Sequence, residues 1–303
     1  MPRFVPATVL LFPVFLLCAD AGEARPKPLT APVRIGTLPK VIDESSGIIK
    51  SKRFADKDVY WTHNDSGDTS RIFAIDSTGK LLRTVDLKHA ANADWEEITM
   101  DEQGRLVVCD IGDNNRDNHH GKRMGVVLYR LAEPDPFNAD EKPPRPEAFH
   151  FDYPKEVGPQ NAEGCFVKAG NAYLFTKEIE GSSCFKLPLP EKAPEGHSAM
   201  ALVTRTRTFN IVTGAALSED GKHLALINYL TLLVIDFPEP FEALKPNASG
   251  QIAVFDFPRR SVTSILGQTE GVCWDKNDLV LTTEGGGVFR SKEAIAPDIS
   301  KKN

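Results

Sequence analysis

Short apolar segments that alternate with polar residues run through the chain from about residue 33 onward. Clear examples are SRIFAID, GRLVVCDIG, NAYLFTKE, KHLALINY and DLVLTTEG, and most of them end in Gly, Asn or Asp. Alternation with a period of two, bounded by turn-forming residues, is typical of β-strands. No long stretch shows the 3.6-residue spacing of a helix. The pattern therefore predicts an all-β protein.

The apolar segments also recur as a repeat. Five segments begin with polar or acidic residues, continue with a small residue or Glu, and end in an apolar run. These openers are ESSGII (44–49), WEEITM (95–100), AEGCFV (162–167), VTGAAL (212–217) and TEGVCW (269–274). Aligned on one column, they place five residues in equivalent positions: Ser46, Glu96, Glu163, Thr213 and Glu270.

Each opener is followed by a turn and by up to three further strand-like runs, so that one repeat reads as four antiparallel strands. Such a unit is typical of a β-propeller blade. Five openers predict five blades, and six remain possible if 132–160 or 237–268 contains another. The segment VRIGTLP (33–39) has no partner of its own, and we expect it to complete the last blade and close the ring, which removes exposed sheet edges.

Polar side chains are concentrated where the second strand of each repeat ends, as in YWTHNDSGD (60–68) and VVCDIGDNN (107–115). In a blade the first strand begins, and the second ends, on the same face of the disc. We therefore expect the opener column to surround one mouth of the central channel. The strand-end residues expected beside it are Asn64, Asp65, Asp110, Asp113, Lys177, Glu178, Asn228 and Glu284.

Many carboxylates close together favour a bound cation, because like charges raise one another's pKa. Oxygen ligands without Cys or His suit calcium. The expected ligands are Glu163, Glu270, Glu96, Asn64, Asp110 and Asn228. In the alternative interpretation these residues are structural: acidic openers bond backbone amides of neighbouring blades, and Asn and Asp at strand ends form turns.

His63 and Lys177 are the candidate catalytic residues, as a general base and as a cation for a developing anion. The alternative for His63 is a packed or exposed histidine without a catalytic role. Residues 113–124 begin like a calcium-binding EF-hand loop, but Asn118 and Met124 stand where that loop needs Gly and Glu.

The first 21 residues have the features of a secretory signal: Arg3, an apolar run and an Ala-x-Ala cleavage site. The run is short and broken by Pro13, which argues against a membrane span. We expect a secreted or periplasmic protein with a flexible leader (22–32), one propeller domain (33–292) and a C-terminal tail (293–303).

The 303-residue chain has a formal net charge of −6, which gives it no broad attraction for nucleic acid or anionic membranes. Four cysteines follow the signal: Cys109, Cys165, Cys184 and Cys273. They allow two disulfides in three pairings, although their place in apolar runs favours buried thiols. We expect a monomer that binds a small molecule, glycan or peptide at the channel mouth.

The blocks SSGII, YWTHNDSGD, DWEEIT and CDIGDNN resemble a family of secreted bacterial β-propeller proteins to which no activity is assigned. The resemblance is specific over residues 44–131 and looser over 161–290, and Cys109 stands where the family has Gly. More distantly, the openers resemble calcium-dependent propeller enzymes, the phytase-like esterases and the lactonases. That resemblance implies a metal at the channel mouth, held by carboxylate and Asn ligands. It favours a metal-dependent hydrolase of esters or phosphoesters, and a non-catalytic binding module is the alternative.

Overall fold

The computed structural model describes residues 29–113, 125–206, 209–237, 251–256, 259–260, 263–264, 267–292 and 294. All regular elements in these ranges are β-strands. The expected signal, most of the leader, the EF-hand-like stretch beyond Asp113 and all of the C-terminal tail except Ala294 lie outside them. Among the described residues there is no helix with the length and apolar character needed to cross a bilayer.

Five sheets of four or five strands each correspond to one predicted blade, and the described residues also form one separate two-stranded sheet. Blade 1 consists of β2 (Ser45–Lys50), β3 (Tyr60–Asn64), β4 (Arg71–Ile75) and β5 (Leu81–Asp86). Blade 2 begins with β6 (Trp95–Met100), β7 (Leu106–Asp110), β8 (Gly125–Leu131) and β9 (Glu147–Asp152). Blade 3 consists of β10 (Ala162–Lys168), β11 (Asn171–Thr176), β12 (Ser182–Pro188) and β14 (Ala201–Thr206). Blade 4 consists of β15 (Gly214–Leu217), β16 (His223–Ile227), β17 (Thr231–Asp236) and β18 (Gln251–Asp256). Blade 5 consists of β21 (Thr269–Asp275), β22 (Asp278–Thr283), β23 (Gly287–Ser291) and β1 (Val33–Thr37).

The first strands of the five blades form a closed inner ring, in which β2 packs against β6, β6 against β10, β10 against β15, β15 against β21, and β21 against β2. The five-bladed propeller predicted from the repeats is therefore confirmed. The N-terminal strand β1 pairs antiparallel with β23 and closes the ring, as expected. The hydroxyl of Ser45 also donates to the Thr282 hydroxyl at 2.9 Å, which joins the first blade to the last.

Apolar side chains fill each of the five interfaces between neighbouring blades. Trp61 and Trp95 lie in the cluster between blades 1 and 2. Phe149 and Phe185 lie between blades 2 and 3, and further clusters occupy the remaining three interfaces. All four cysteines lie in these clusters as free, buried thiols. The stability of the ring therefore comes mainly from apolar surface buried between the flat faces of the sheets.

At the aligned opener residues, the pairing between the first and second strands is irregular in four of the five blades. Four inner strands carry a register shift that leaves one residue unpaired, and these residues are Ser46, Glu96, Glu163 and Glu270. A β-bulge inserts one extra residue and redirects its side chain. Thr213, the fifth member of the column, stands just before β15, and its amide donates to the Ile227 carbonyl at 2.9 Å. The bulges explain why polar residues at this level turn toward the channel.

The residue that follows each of the five aligned opener residues is glycine in four blades and Glu97 in blade 2. The series is Gly47, Glu97, Gly164, Gly214 and Gly271. Side chains at the glycines would not fit: a Cβ on Gly47 would lie 2.7 Å from the Glu97 carboxylate, and one on Gly214 would lie 2.3 Å from the Glu270 carbonyl. The absence of a side chain at Gly47 leaves room for the Glu97 carboxylate.

Glu97 connects three blades from this position. Its carboxylate accepts from the amides of Ala215 in blade 4, at 3.1 Å, and Ile98 in its own strand, also at 3.1 Å. The Cys165 amide of blade 3 is a third donor. Burial raises the pKa of Glu97 well above its ordinary value, and these backbone hydrogen bonds oppose the shift. One buried side chain thus links blades 2, 3 and 4.

Two features of the sheets were not expected from the sequence. Blade 2 has a fifth strand, β13 (His197–Ala199), which comes from the connection between β12 and β14 and pairs parallel with β9. Residues 259–264 contain a small separate pair, β19 (Arg259–Arg260) and β20 (Thr263–Ser264), instead of a sixth blade.

Replacing Glu97 by Ala should lower the free energy of unfolding by about 3 kcal/mol, because buried amides of three blades lose their acceptor. Glu97→Gln, which keeps the shape and one acceptor oxygen, should cost less. Urea denaturation measures both values. The control is Glu195→Ala, an exposed residue. Equal stability of Glu97→Ala and the control would contradict the role of Glu97 as the central link.

Candidate functional site

The five column residues meet at one mouth of the channel, and three of them form a connected group. The Ser46 hydroxyl lies 3.0 Å from Glu96 Oε2 and 3.3 Å from Glu270 Oε2, so it can donate to either carboxylate. Thr213 instead donates to the Thr269 carbonyl at 2.8 Å, which joins blades 4 and 5. Ser46 therefore couples the carboxylates of blades 2 and 5 across blade 1.

Lys177 brings the third carboxylate into this group. It follows β11, and its amide donates to the Asn161 carbonyl at 2.9 Å, which fixes the start of the side chain. Its ammonium forms a salt bridge with Glu163 Oε1 and lies 3.9 Å from Glu270 Oε1. The predicted position of Lys177 at the mouth agrees with this geometry, and its charge faces two carboxylates from different blades.

Tyr229 completes the wall of the site and was missed in the sequence. Its hydroxyl donates to Glu270 Oε1 at 3.1 Å, and the Lys177 ammonium lies 5.0 Å from the centre of its ring. The only signal in the sequence was its place directly after Asn228 at the end of β16. We define the mouth cluster as Ser46, Glu96, Glu163, Lys177, Tyr229 and Glu270.

The three carboxyl groups of the mouth cluster have raised pKa values. Burial, with the salt bridge to Lys177 acting against it, raises the pKa of Glu163 to about 7. Burial and the nearby Glu163 raise the pKa of both Glu96 and Glu270 well above the ordinary value. The pKa of Lys177 is raised, because its carboxylate neighbours, Glu163 first, outweigh the burial that would lower it. Lys177 is therefore charged at neutral pH, while Glu163 changes its protonation there.

A second acidic group lies beside the mouth cluster. Burial and the neighbouring Glu44 raise the pKa of Asp65 to about 8. Burial likewise raises the pKa of Glu284, which is hydrogen-bonded to Gln268. Both residues were expected near the mouth, and their carboxylates interact electrostatically with Glu270 or Glu44. The mouth thus has an inner group on the opener column and an outer group on the loops.

The two asparagines expected as metal ligands are both hydrogen-bonded to backbone groups. Asn64 donates to the Val41 carbonyl and to Asp68, both at 2.9 Å. Asn228 accepts from the amides of Leu230 and Thr231, at 2.9 and 2.8 Å, and so caps the tight turn into β17. Both side-chain oxygens already accept backbone hydrogen bonds, so the structural interpretation describes these two residues better.

Three further expected residues also have backbone contacts. Asp110 accepts from the Asp94 amide at 2.9 Å, and the Asp113 amide donates to Asn161 at 2.7 Å. The Glu178 carbonyl accepts from the amide of Ile211 at 3.1 Å. Ile211 has a φ of 53°, which is strained for a β-branched residue, and it stands at the edge of the mouth just before Thr213.

His63 is fully buried rather than open to the mouth. Its ring packs edge-on against Trp95, with 6.0 Å between ring centres, and Nδ1 lies 3.0 Å from the Asn64 carbonyl. Burial lowers the pKa of His63 to about 4, so it is neutral at physiological pH. Its contacts favour the packed alternative, and the mouth carboxylates are better placed to move protons.

The chemistry of the mouth cluster is that of oxygen donors around one ammonium group. Within the described ranges, no group of three or more His, Cys, Asp or Glu is placed to hold a metal ion as the side chains stand. Lys177 lies between two of the three glutamates, so a cation reaching all three requires its ammonium to move.

No protein-family model and no curated protein matches this chain. Several solved structures resemble it. A glutaminyl cyclase from Myxococcus xanthus is 10% identical, with a TM-score of 0.49 over 88% of this chain and 98% of that one. An aldose sugar dehydrogenase from Streptomyces coelicolor, solved with bound PQQ, is 9% identical, with a TM-score of 0.48 over 88% and 99%. A gluconolactonase from Xanthomonas campestris is 14% identical, with a TM-score of 0.41 over 90% and 98%.

The raised pKa values predict how stability depends on pH in the absence of divalent cations. Between the ordinary glutamate pKa of 4.5 and about 7, Glu163 is protonated in the folded protein and ionised in the unfolded chain. Stability therefore falls as the pH rises through this window, and Asp65 extends the fall to about 8.

In EDTA, the thermal midpoint should fall between about pH 5 and about pH 8. Glu163→Gln should flatten the decline, because the amide does not titrate, whereas the exposed Glu195→Gln should leave it unchanged. Differential scanning fluorimetry across this pH range measures both slopes. A midpoint that rises with pH would contradict protonated Glu163 and Asp65 in the folded protein.

Proposed function

We propose that the mouth cluster binds Ca²⁺ and that the protein is a calcium-dependent hydrolase of carboxylic or phosphoric esters that works outside the cytoplasm. One observation carries the proposal. Glu96, Glu163 and Glu270, from three different blades, are buried and linked through Ser46 and Lys177, and Glu163 Oε2 has no hydrogen-bond partner in the described part of the chain. A buried, unpaired carboxylate oxygen is costly, and a cation offsets that cost.

The donor set fits calcium by its chemistry. The three carboxylates, the Ser46 hydroxyl and the Tyr229 hydroxyl all supply oxygen, which hard cations prefer. With all three glutamates ionised, Lys177 offsets only one of three negative charges, and a divalent cation offsets more. Binding would therefore displace the Lys177 ammonium from Glu163 and release the protons that the carboxylates hold.

Residues of the cluster and beside it supply the remaining functions of such an enzyme. A bound calcium would polarise a substrate oxygen and acidify a water molecule. Asp65, which stands outside the cluster and whose pKa is raised to about 8, is suited to exchange a proton near neutral pH. Lys177 stays charged and, once released from Glu163, would stabilise the developing oxyanion.

The Lys177–Glu163 salt bridge supports a second candidate function. If Lys177 is the permanent counter-charge, the mouth needs no metal, and the protein is a non-catalytic module that binds a small molecule, glycan or peptide on this face. The two functions differ in what Lys177 does: it competes with the cation in the first and replaces it in the second.

Calcium titrations monitored by thermal melting distinguish the two candidates. If the cluster binds calcium, wild type melts at higher temperature in calcium than in EDTA, because a ligand bound only by the folded state stabilises it. Glu163→Gln/Glu270→Gln should lose the shift. Lys177→Met should bind calcium more tightly than wild type, since the competing ammonium is gone. The control is Glu195→Gln.

Identical melting of wild type in calcium and EDTA would exclude the calcium site. A Lys177→Met protein that is destabilised in EDTA and not rescued by calcium would establish Lys177 as the permanent counter-charge, and with it the binding module.

A screen of activated carboxylic and phosphoric esters tests the catalytic part separately. Lys177→Met should bind calcium yet lower kcat by about 10²-fold, the usual effect of losing one group that stabilises an oxyanion. Unchanged kcat in Lys177→Met would remove it from the reaction. Calcium binding without turnover of any ester would favour the binding module.

A further inference from the structure

The connection between β12 and β14 does not turn back directly within blade 3. Instead residues 189–200 reach the outer edge of blade 2, where β13 pairs with β9. This is the only parallel strand pair among those described. Three residues of strand make few hydrogen bonds, so the attachment is weak unless side chains strengthen it.

Two histidines face each other at this attachment. His197 of β13 and His150 of β9 are Cα partners in the strand register. Their rings stack with 5.2 Å between centres and 17° between planes. Alternate residues of neighbouring strands lie on one face of a sheet, so both imidazoles project from the same surface.

Asp152 orients one of the two rings. Its Oδ1 lies 2.8 Å from Nδ1 of His197, and both side chains are about half exposed, at 53% and 56%. A carboxylate only accepts, so Nδ1 of His197 carries the proton and Nε2 presents its lone pair outward. A carboxylate bonded to one histidine nitrogen, with the other nitrogen free, is the usual support of a metal-binding histidine.

We infer that His150 and His197 form a surface site for a late transition-metal dication such as Zn²⁺, with Asp152 as the positioning residue. Imidazole is a preferred ligand of zinc, copper and nickel. The pair supplies two ligands, and water completes the coordination. The partly exposed His150 ring can turn toward an ion at Nε2 of His197, so that His197 keeps its hydrogen bond to Asp152. A bound metal would fasten the connection from blade 3 to blade 2, because its ligands come from both.

This site is independent of the mouth cluster. Its ligands are nitrogens, which calcium does not favour, while the mouth offers only oxygens. Either proposal can therefore fail without the other.

The test is isothermal titration of Zn²⁺ into the full, EDTA-treated and dialysed chain. Wild type should bind one Zn²⁺, and His150→Ala or His197→Ala should each weaken binding by at least about 100-fold. Asp152→Asn should weaken it by about 10-fold, within the range for outer hydrogen-bond partners of metal ligands. His89→Ala, at an exposed histidine beside the start of β9, and Glu163→Gln/Glu270→Gln should bind as wild type does.

Limited trypsin digestion gives a second readout, because Lys192 lies in the connection. Zn²⁺ should slow cleavage there in wild type and in His89→Ala but not in His197→Ala. His197→Gln serves as a second variant if His197→Ala does not fold. Absence of Zn²⁺ binding by wild type, unchanged affinity in both histidine variants, or loss of binding only in the mouth double variant would overturn the inference.

Discussion

The crowding of five strands around one axis is the constraint on which the structure depends. Inner strands can approach one another only where side chains are absent, and four of the five residues at the narrowest level are glycines. The fifth, Glu97, lies against Gly47 and accepts hydrogen bonds from backbone amides of three blades. A single side chain thus packs between the inner strands and provides the hydrogen-bond acceptor for their buried backbone amides.

The mouth cluster follows from this arrangement. The bulges turn Ser46, Glu96, Glu163 and Glu270 toward the axis, each one residue before a glycine or Glu97. The three carboxylates are buried at this level, and burial is the first cause of their raised pKa values. The features that hold the ring together therefore also set the protonation of the mouth carboxyl groups.

The blades, the closing strand and the aligned opener residues could be predicted because the same pattern recurs along the chain. The repeats can therefore be aligned with one another. The contact of Glu96, Glu163 and Glu270 followed from that alignment. Tyr229 and β13 could not be predicted, since each depends on a contact between different blades that no local pattern records. The roles of Asn64 and Asn228 were ambiguous, because turns and metal sites use the same side chains. The sequence shows Glu97 at the position where the other four repeats have glycine. Its role could not be predicted, because it depends on which backbone amides of the other blades lie within hydrogen-bonding distance.

The pairing of β1 with β23 also determines when the molecule can finish folding. The strand that begins at Val33 is made well before its partner β23, which ends at Ser291. Blades 1 to 4 have all their strands before β23 is made, but the ring stays open until β23 is present to pair with β1. The contact between β1 and β23 forms late, because the entropy of closing so long a loop must be overcome first. The ring can therefore close only after the chain has been made as far as β23.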